Sequence, residues 1–224
     1  MNADKKIAII IINWKKYDLT LNCIDSVLKS SYKNFKIILI DNEAQNSFPD
    51  EINKSEQIKI IKNENNEGFS KANNQGIKYS IKHGFDYVLL LNNDTLIKND
   101  LIDSLIHQSS TLNQKIIQPL ILNYDGSKIW NAGGKINNFF GTFQTLEKGK
   151  DFKNFKINRA YTDWFTGCCV LIKLEIFNHV GYFDERFFAY YEDVDYSIRL
   201  KKMGYLIGLM TDSNLQHYES ASSK

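Results

Sequence analysis

The chain has only three cysteines in 224 residues, too few for a disulfide framework. Cys168 and Cys169 are adjacent and ill-placed to pair with each other, while Cys23 falls in a helical pattern. Without a CxxC partner for either, a zinc site is not expected and reduced thiols are. Long apolar runs are also missing. The run Ile7 to Ile12 is too short for a signal h-region, and no run approaches the ~20 residues of a spanning helix. Charge of one sign is lacking too: 28 Lys+Arg face 26 Asp+Glu, a formal net charge of +2. No global field therefore points to nucleic acid or to a membrane surface, and pairs such as Lys15–Lys16 and Lys201–Lys202 read as solvated surface. There is no internal repeat and no low-complexity linker. GFSKANNQG (68–76) has neither GxGxxG nor GxxxxGK spacing, so it reads as a loop and a capped helix.

What is present is a chain 43% hydrophobic and 13% aromatic, suited to one α/β domain over 1–224. IAIIII (7–12) is short, apolar and β-branched, as a buried parallel strand should be. FKIILID (35–41), IKIIKN (58–63), YVLLLN (87–92) and KIIQPLILN (115–123) read as further strands. Helical patterns fall between them, with Asp18, Ser70 and Asn99 or Asp100 as expected starts. This alternation predicts a mostly parallel, Rossmann-like sheet with helices on both faces. Such sheets bind ligands at the carboxyl ends of their strands. Three strands end in polar residues: Asn13, Asp41–Asn42, and Asn92–Asn93–Asp94. Residues 124–160 hold Gly126, Gly133, Gly134, Gly141 and Gly149 among aromatics, which predicts a small antiparallel, hairpin-rich insert. TGCCVLIK (166–173) reads as a strand, LEIFNHVG as a short helix, EDVDYSIRLKKMG (192–204) as a helix, and YLIGLM (205–210) as a last strand before a polar tail with His217.

Asp184, Glu185, Glu192, Asp193 and Asp195 fall within twelve positions. Glu192 and Asp193 suit the first turn of a helix, where its dipole favours anions. Capping alone would account for them. A proton-accepting carboxylate walled by Phe187, Phe188, Tyr190 and Tyr191 would also account for them, and sugar rings pack well on such aromatics.

Several segments together resemble the inverting glycosyltransferase family 2, GT-A fold, in its rhamnosyltransferase-like branch. They are IIIINW (9–14), LIDN (39–42), NEGFSKANNQGI (66–77), LLLNNDT (89–95), TGCCVLIK (166–173) and GYFDERFFAYYEDVDYSIRLKKMGY (181–205). The resemblance implies a nucleotide-sugar-binding half over 1–123 and an acceptor and catalytic half over 124–224. It implies that Asp41 and Asn13 hold the nucleotide, and that Gly68, Asn73 and Asn74 line its diphosphate side. Asn92–Asn93–Asp94 stands at the family's DxD position, with Asp94 expected to bind Mg²⁺ or Mn²⁺ and Asn92 in place of the first Asp. Asp193 matches the catalytic base, Glu192 an acceptor-orienting group, and His217 a histidine that completes the metal shell.

The implied reaction moves a sugar from a nucleoside diphosphate sugar (dTDP-rhamnose or a UDP-hexose) to a hydroxyl of a growing surface polysaccharide or lipid-linked glycan. No nucleic acid partner is implied. Family habit implies a cytoplasmic location with peripheral contact at the inner membrane face. Many relatives continue past the histidine with helices that contact acceptor or membrane, whereas this sequence ends at Lys224. Two other readings compete: a sugar-nucleotide-binding scaffold that has lost catalysis, and a nucleotidyltransferase. The second usually carries a Gly-rich signature after its first strand, where this chain reads NWKKYD.

Overall fold

The structure is a computed structural model and describes residues 5–42, 48–137, 139–140, 142–156 and 159–218. Its strands are β1 (Ile7–Asn13), β2 (Phe35–Asp41), β3 (Ile58–Lys62), β4 (Tyr87–Asn92), β5 (Thr95–Ile97), β6 (Ile116–Asn123), β7 (Ile129–Asn131), β8 (Gly134–Asn137), β9 (Thr142–Thr145), β10 (Tyr161–Thr162), β11 (Cys169–Lys173) and β12 (Ile207–His217). The helices are α1 (Tyr17–Leu28), α2 (Asp50–Lys54), α3 (Gly68–Lys82), α4 (Leu101–Leu112), α5 (Glu175–Val180) and α6 (Glu192–Lys202). One sheet runs in the order β10-β12-β6-β11-β4-β1-β2-β3, with β5 beside β12 and β7 beside β6. Strands β3, β2, β1 and β4 form a parallel block. Strand β11 then enters antiparallel between β4 and β6, so both halves of the chain share one sheet.

The apolar strands follow from two-sided burial. Ile7, Ile9 and Ile11 face a core completed by α1 and α4. Ala8 and Ile10 face the opposite core, completed by α3, α5 and α6. A strand whose alternate residues face two helical layers must be apolar throughout. Each fully buried Ile contributes roughly 1.5–3 kcal/mol.

Register then fixes the polar edge. Asn13 pairs with Asp41, and Ile12 with Asn92, so the three polar strand ends line up at one carboxyl edge.

The structure differs from the sequence reading at several ends. Helix α1 starts at Tyr17, so Asp18 sits in its first turn rather than capping it. Helix α3 starts at Gly68; Ser70 lies two residues inside it, buried, with Oγ unpartnered among the described residues. Asp100 holds the N-cap position of α4 as expected, but makes no side-chain cap bond, and its carboxylate accepts from Ser213 instead. TGC (166–168) is not strand: β11 begins at Cys169. The expected tail is strand too, for β12 runs on to His217 after an irregularity between Met210 and Asn214. Pairing resumes at Asn214 with β6 and at Leu215 with β5, and Ser213, Asn214 and His217 are buried. Gly141 of the insert lies outside the described residues.

Candidate active site

A continuous chain of hydrogen bonds joins the polar strand ends. Asn13 Nδ2 donates to Asp41 Oδ1 at 2.9 Å, and Thr20 Oγ1 donates to Asn13 Oδ1 at 2.8 Å. Asn93 Nδ2 donates to Thr20 Oγ1 at 2.9 Å, and Tyr17 reaches Asp41 at 3.4 Å. Asn13, Thr20, Asp41 and Asn93 are almost wholly buried, so each bond among them is worth about 1 kcal/mol made and more than that broken. Thr20 and Tyr17 carried no signal in the sequence. Beside them Asn63 Nδ2 donates to Asn42 Oδ1 at 2.7 Å, Asn42 Nδ2 to Asn66 Oδ1 at 3.1 Å, and Asn63 and Gln75 exchange bonds of 2.9 Å. This amide network braces the ends of β2 and β3 against α3.

Gly68 opens α3 with φ +74°, and a Cβ there would lie 2.5 Å from the Phe188 carbonyl oxygen. That carbonyl accepts the Phe69 N–H at 2.6 Å. Gly68 is therefore a docking point for the 183–191 loop. Asn74 serves the same loop: Nδ2 donates to Phe183 O at 2.9 Å and to Glu185 Oε1 at 3.0 Å, while Oδ1 accepts from Phe183 N at 3.1 Å. Asn73 donates back to Phe69 O at 3.1 Å. The side chains of Asn73 and Asn74 are thus engaged in internal bonds.

Asn92 ends β4, where its N–H donates to Cys168 O and its own carbonyl accepts from Thr95 Oγ1 at 2.7 Å. Just beyond, Asp94 meets His217. Strand β12 sets His217 opposite Thr95, and Asp94 Oδ1 lies 3.2 Å from His217 Nε2, both side chains almost wholly buried. The other ring nitrogen, Nδ1, has no hydrogen-bond partner among the described residues, and Trp130 packs edge-on to the ring at 4.3 Å. A carboxylate oxygen suits Mg²⁺ or Mn²⁺, and an imidazole nitrogen beside it favours Mn²⁺, which takes nitrogen donors more readily than Mg²⁺ does. An octahedral shell with bonds of ~2.1 Å sets neighbouring donor atoms about 3 Å apart, close to the distance seen. No group of three or more His, Cys, Asp or Glu suited to a metal occurs among the described residues. A cation here would draw its remaining ligands from water and from a bound diphosphate.

The second acid pair arrives on α6. Asp193 Oδ2 accepts the Gly167 N–H at 3.0 Å and Oδ1 accepts the Val194 N–H at 2.8 Å. Gly167 precedes β11, whose Cys169 pairs with Leu91, so Asp193 is pinned to the edge where β4 ends. Burial pushes its carboxyl above the usual range, opposed by those two N–H groups. Glu192 is 5% exposed, and Oε2 has no partner among the described residues. Burial, then the charge of Asp193, pushes the Glu192 carboxyl to about 7. Neither acid is a side-chain cap: Tyr191 holds the N-cap position. The aromatic wall is not closed either, since Phe188, Tyr190 and Tyr191 are more than half exposed. Phe69 supplies part of the cover instead, packed so close to Gly167 that a Cβ there would sit 2.8 Å from its ring. The three thiols are buried, which pushes Cys23 to about 12 and raises Cys168 and Cys169 as well; none is a nucleophile. Burial is the main cause for Cys168, and the charges of Asp94 and Asp193 raise it further.

The fold gives the class. The chain superposes on GalNAc-T7, solved with UDP, GalNAc and Mn²⁺, with a TM-score of 0.74 at 16% identity, over 96% of this chain and 44% of that one. TarS of S. aureus gives a TM-score of 0.67 at 13% identity, over 95% and 60%. The fold is therefore GT-A. The profile of glycosyl transferase family 2 matches residues 8–181, and the chain belongs to that family. The matched stretch holds Asn13, Asp41, Gly68 and Asn92 to Asp94, while Glu192, Asp193 and His217 lie beyond it. Among similar curated proteins are the dTDP-rhamnosyl transferase RfbF of Shigella flexneri, 25% identical over 93% of this chain and 67% of its own length, and the low-salt glycan biosynthesis hexosyltransferase Agl10 of Haloferax volcanii, 30% identical over 90% and 64%. An N-acetylglucosaminyl-diphospho-decaprenol L-rhamnosyltransferase of Mycobacterium tuberculosis is 28% identical over 62% of this chain and 48% of its own. The chain thus spans about two thirds or less of these relatives.

Proposed function

We propose that the chain catalyses inverting transfer of a hexosyl group, rhamnosyl or another, from a nucleoside diphosphate sugar to a hydroxyl of a glycan or lipid-linked glycan. The observation that carries this reading is Asp193: a partly buried carboxylate with a raised proton affinity, held by two backbone N–H groups at the edge that also presents Asp94 and His217.

In this reading Asp41 accepts a hydrogen bond from the nucleobase, oriented for it by Asn13 and Tyr17. Asn92 faces the ribose or a metal-bound water. Asp94 and His217 hold Mg²⁺ or Mn²⁺, which when bound offsets the charge of the departing diphosphate. Each oxygen of Asp193 keeps a free lone pair beside its N–H bond. One takes the proton of the acceptor hydroxyl as its oxygen attacks the anomeric carbon. The bond from that carbon to phosphate breaks as the new one forms, and the nucleoside diphosphate leaves with the electron pair. A base whose proton affinity is raised toward neutrality accepts that proton more readily. Glu192 orients the acceptor. The names of the relatives, a glycan-biosynthesis hexosyltransferase and a rhamnosyltransferase of a diphospho-decaprenol sugar among them, support a surface or lipid-linked glycan as acceptor; in this reading it is made in the cytoplasm at the membrane face.

A thermal-shift panel of nucleoside diphosphate sugars, with and without Mn²⁺, tests the donor side. One donor should stabilise the protein preferentially, and more with Mn²⁺. Product made from it should carry the inverted anomeric configuration by NMR. Retention of configuration would overturn the single-displacement reading. Binding without transfer or hydrolysis across an acceptor panel would favour a scaffold.

A further inference from the structure

The hairpin β8–β9 is built onto the catalytic edge. Gly134 at its base leaves no room for a side chain: a Cβ would lie 1.7 Å from Trp164 Nε1, so the indole lies directly on the hairpin. Gly134 N–H donates to Thr162 Oγ1 at 2.6 Å, Asp163 N–H donates to Gly134 O at 2.9 Å, and Ile136 N–H donates to Asp163 Oδ2 at 3.1 Å. From the other side Lys201 of α6 donates to Asp163 Oδ1 at 3.0 Å. Three residues beyond Trp164 is Gly167, which holds Asp193.

Strand alternation sorts the two hairpin faces. Lys135, Asn137, Thr142 and Gln144 share one, while Ile136 and Phe143 are paired on the other. Phe143 lies edge-on to Trp164 at 6.1 Å and to Tyr191 at 5.5 Å. Tyr191 immediately precedes Glu192. It and Tyr190 both adopt left-handed backbone, φ 72° and 70°, a conformation that costs free energy in residues other than glycine. That strained turn sets the Tyr191 ring against Phe143 rather than over α6. Yet Phe143 stays 43% exposed and Tyr191 57% exposed. Two aromatic rings held by a braced hairpin and a strained turn, open to solvent beside the proposed base, are not a core.

We infer that Phe143 and Tyr191 form a stacking platform for a pyranose ring of the acceptor glycan, with the hairpin as the element that selects the acceptor. The inference rests on the transferase reading. A pyranose presents a C–H face that packs on aromatic rings, and Tyr191 adjoins the acid pair that receives the hydroxyl.

The test uses soluble methyl and p-nitrophenyl pyranosides as probes. Saturation-transfer NMR reads their binding without turnover, and calorimetry of donor plus Mn²⁺ is run separately. Phe143→Ala and Tyr191→Ala should each weaken pyranoside binding, and raise acceptor KM in transfer, about tenfold, with donor affinity unchanged. Phe143→Trp should restore it, and Phe143→Leu, which keeps apolar packing, should not. Unchanged pyranoside binding in the folded Ala or Leu variants overturns the inference. So does a loss confined to acceptors embedded in lipid vesicles, which would make the pair a membrane contact. Failure of donor binding in the unaltered protein would instead sink the transferase reading.

Discussion

Glu192→Gln turns the burial of Glu192 into a measurable stability term. The Glu192 carboxyl rises from an ordinary 4.5 to about 7, mainly because burial strips water from its charged form. At 1.36 kcal/mol per pH unit that gap amounts to about 3 kcal/mol. The sign follows from proton counting. Below pH 4.5 both folded and unfolded chains hold the proton, and burial of the charge costs nothing. Between 4.5 and 7 the unfolded chain releases it while the fold retains it, so stability falls as pH rises. Above 7 the penalty is complete. Glutamine never ionises, so the stability difference between variant and wild type should grow by about 3 kcal/mol in favour of glutamine from pH 4.5 to 8. For a chain of this size, roughly 2–4 °C per kcal/mol makes this a widening of about 6–12 °C in Tm. Any cost of burying the amide is independent of pH and cancels. Carboxyls held below their usual range, Asp125, Asp163, Glu175 and Asp184, stabilise the fold as pH rises through acid values, and they too cancel in the difference. The assay is thermal and urea unfolding at pH 4.5, 6 and 8 without nucleotide or metal. A difference that stays constant with pH would refute the claim that Glu192 is held in a site that resists its charge.

Three further substitutions probe separate parts. His217→Ala should weaken Mn²⁺-dependent donor binding by about tenfold or more in calorimetry and leave metal-free binding as it was; equal affinities would remove His217 from the metal shell. Asn74→Leu strips three hydrogen bonds from the 183–185 loop and should cost roughly 2–4 kcal/mol by urea unfolding. A loss under about 0.5 kcal/mol, the level of ordinary surface changes, would mean the loop does not depend on it. Gly68→Ala should cost at least ~1–3 kcal/mol, from its positive φ and the Phe188 carbonyl, read by the same method.

The layered sheet was legible because two-sided burial leaves a plain trace: four short strands, three of them followed by a helical pattern, while the short α2 after β2 left none. The shared polar edge was legible for the same reason, since Asn13, Asp41 and Asn92 each break an apolar run at the same depth. Helix starts were less so. Asp18 and Ser70 are good capping residues, yet α1 begins at Tyr17 and α3 at Gly68; Asp100 does hold the N-cap position of α4, but its carboxylate bonds Ser213, far along the chain. Strand β12 was cut short because TDSN carries no strand pattern; its pairing with β5 and β6 is non-local. Thr20, Gly167 and the clamp made by Asn74 depend on contacts that no spacing rule encodes. The meeting of Asp94 with His217, 123 positions apart, came from family resemblance and not from any local pattern.

The central claim is that Asp193 is the base of an inverting transfer. Its most direct measurement is turnover of Asp193→Asn at saturating donor and Mn²⁺, beside calorimetric donor affinity on the same preparation. Donor affinity should stay within about twofold of wild type and turnover should fall about 10²–10⁴-fold, the range that a positioned general base supplies. Near-wild-type turnover with intact donor binding would contradict the claim.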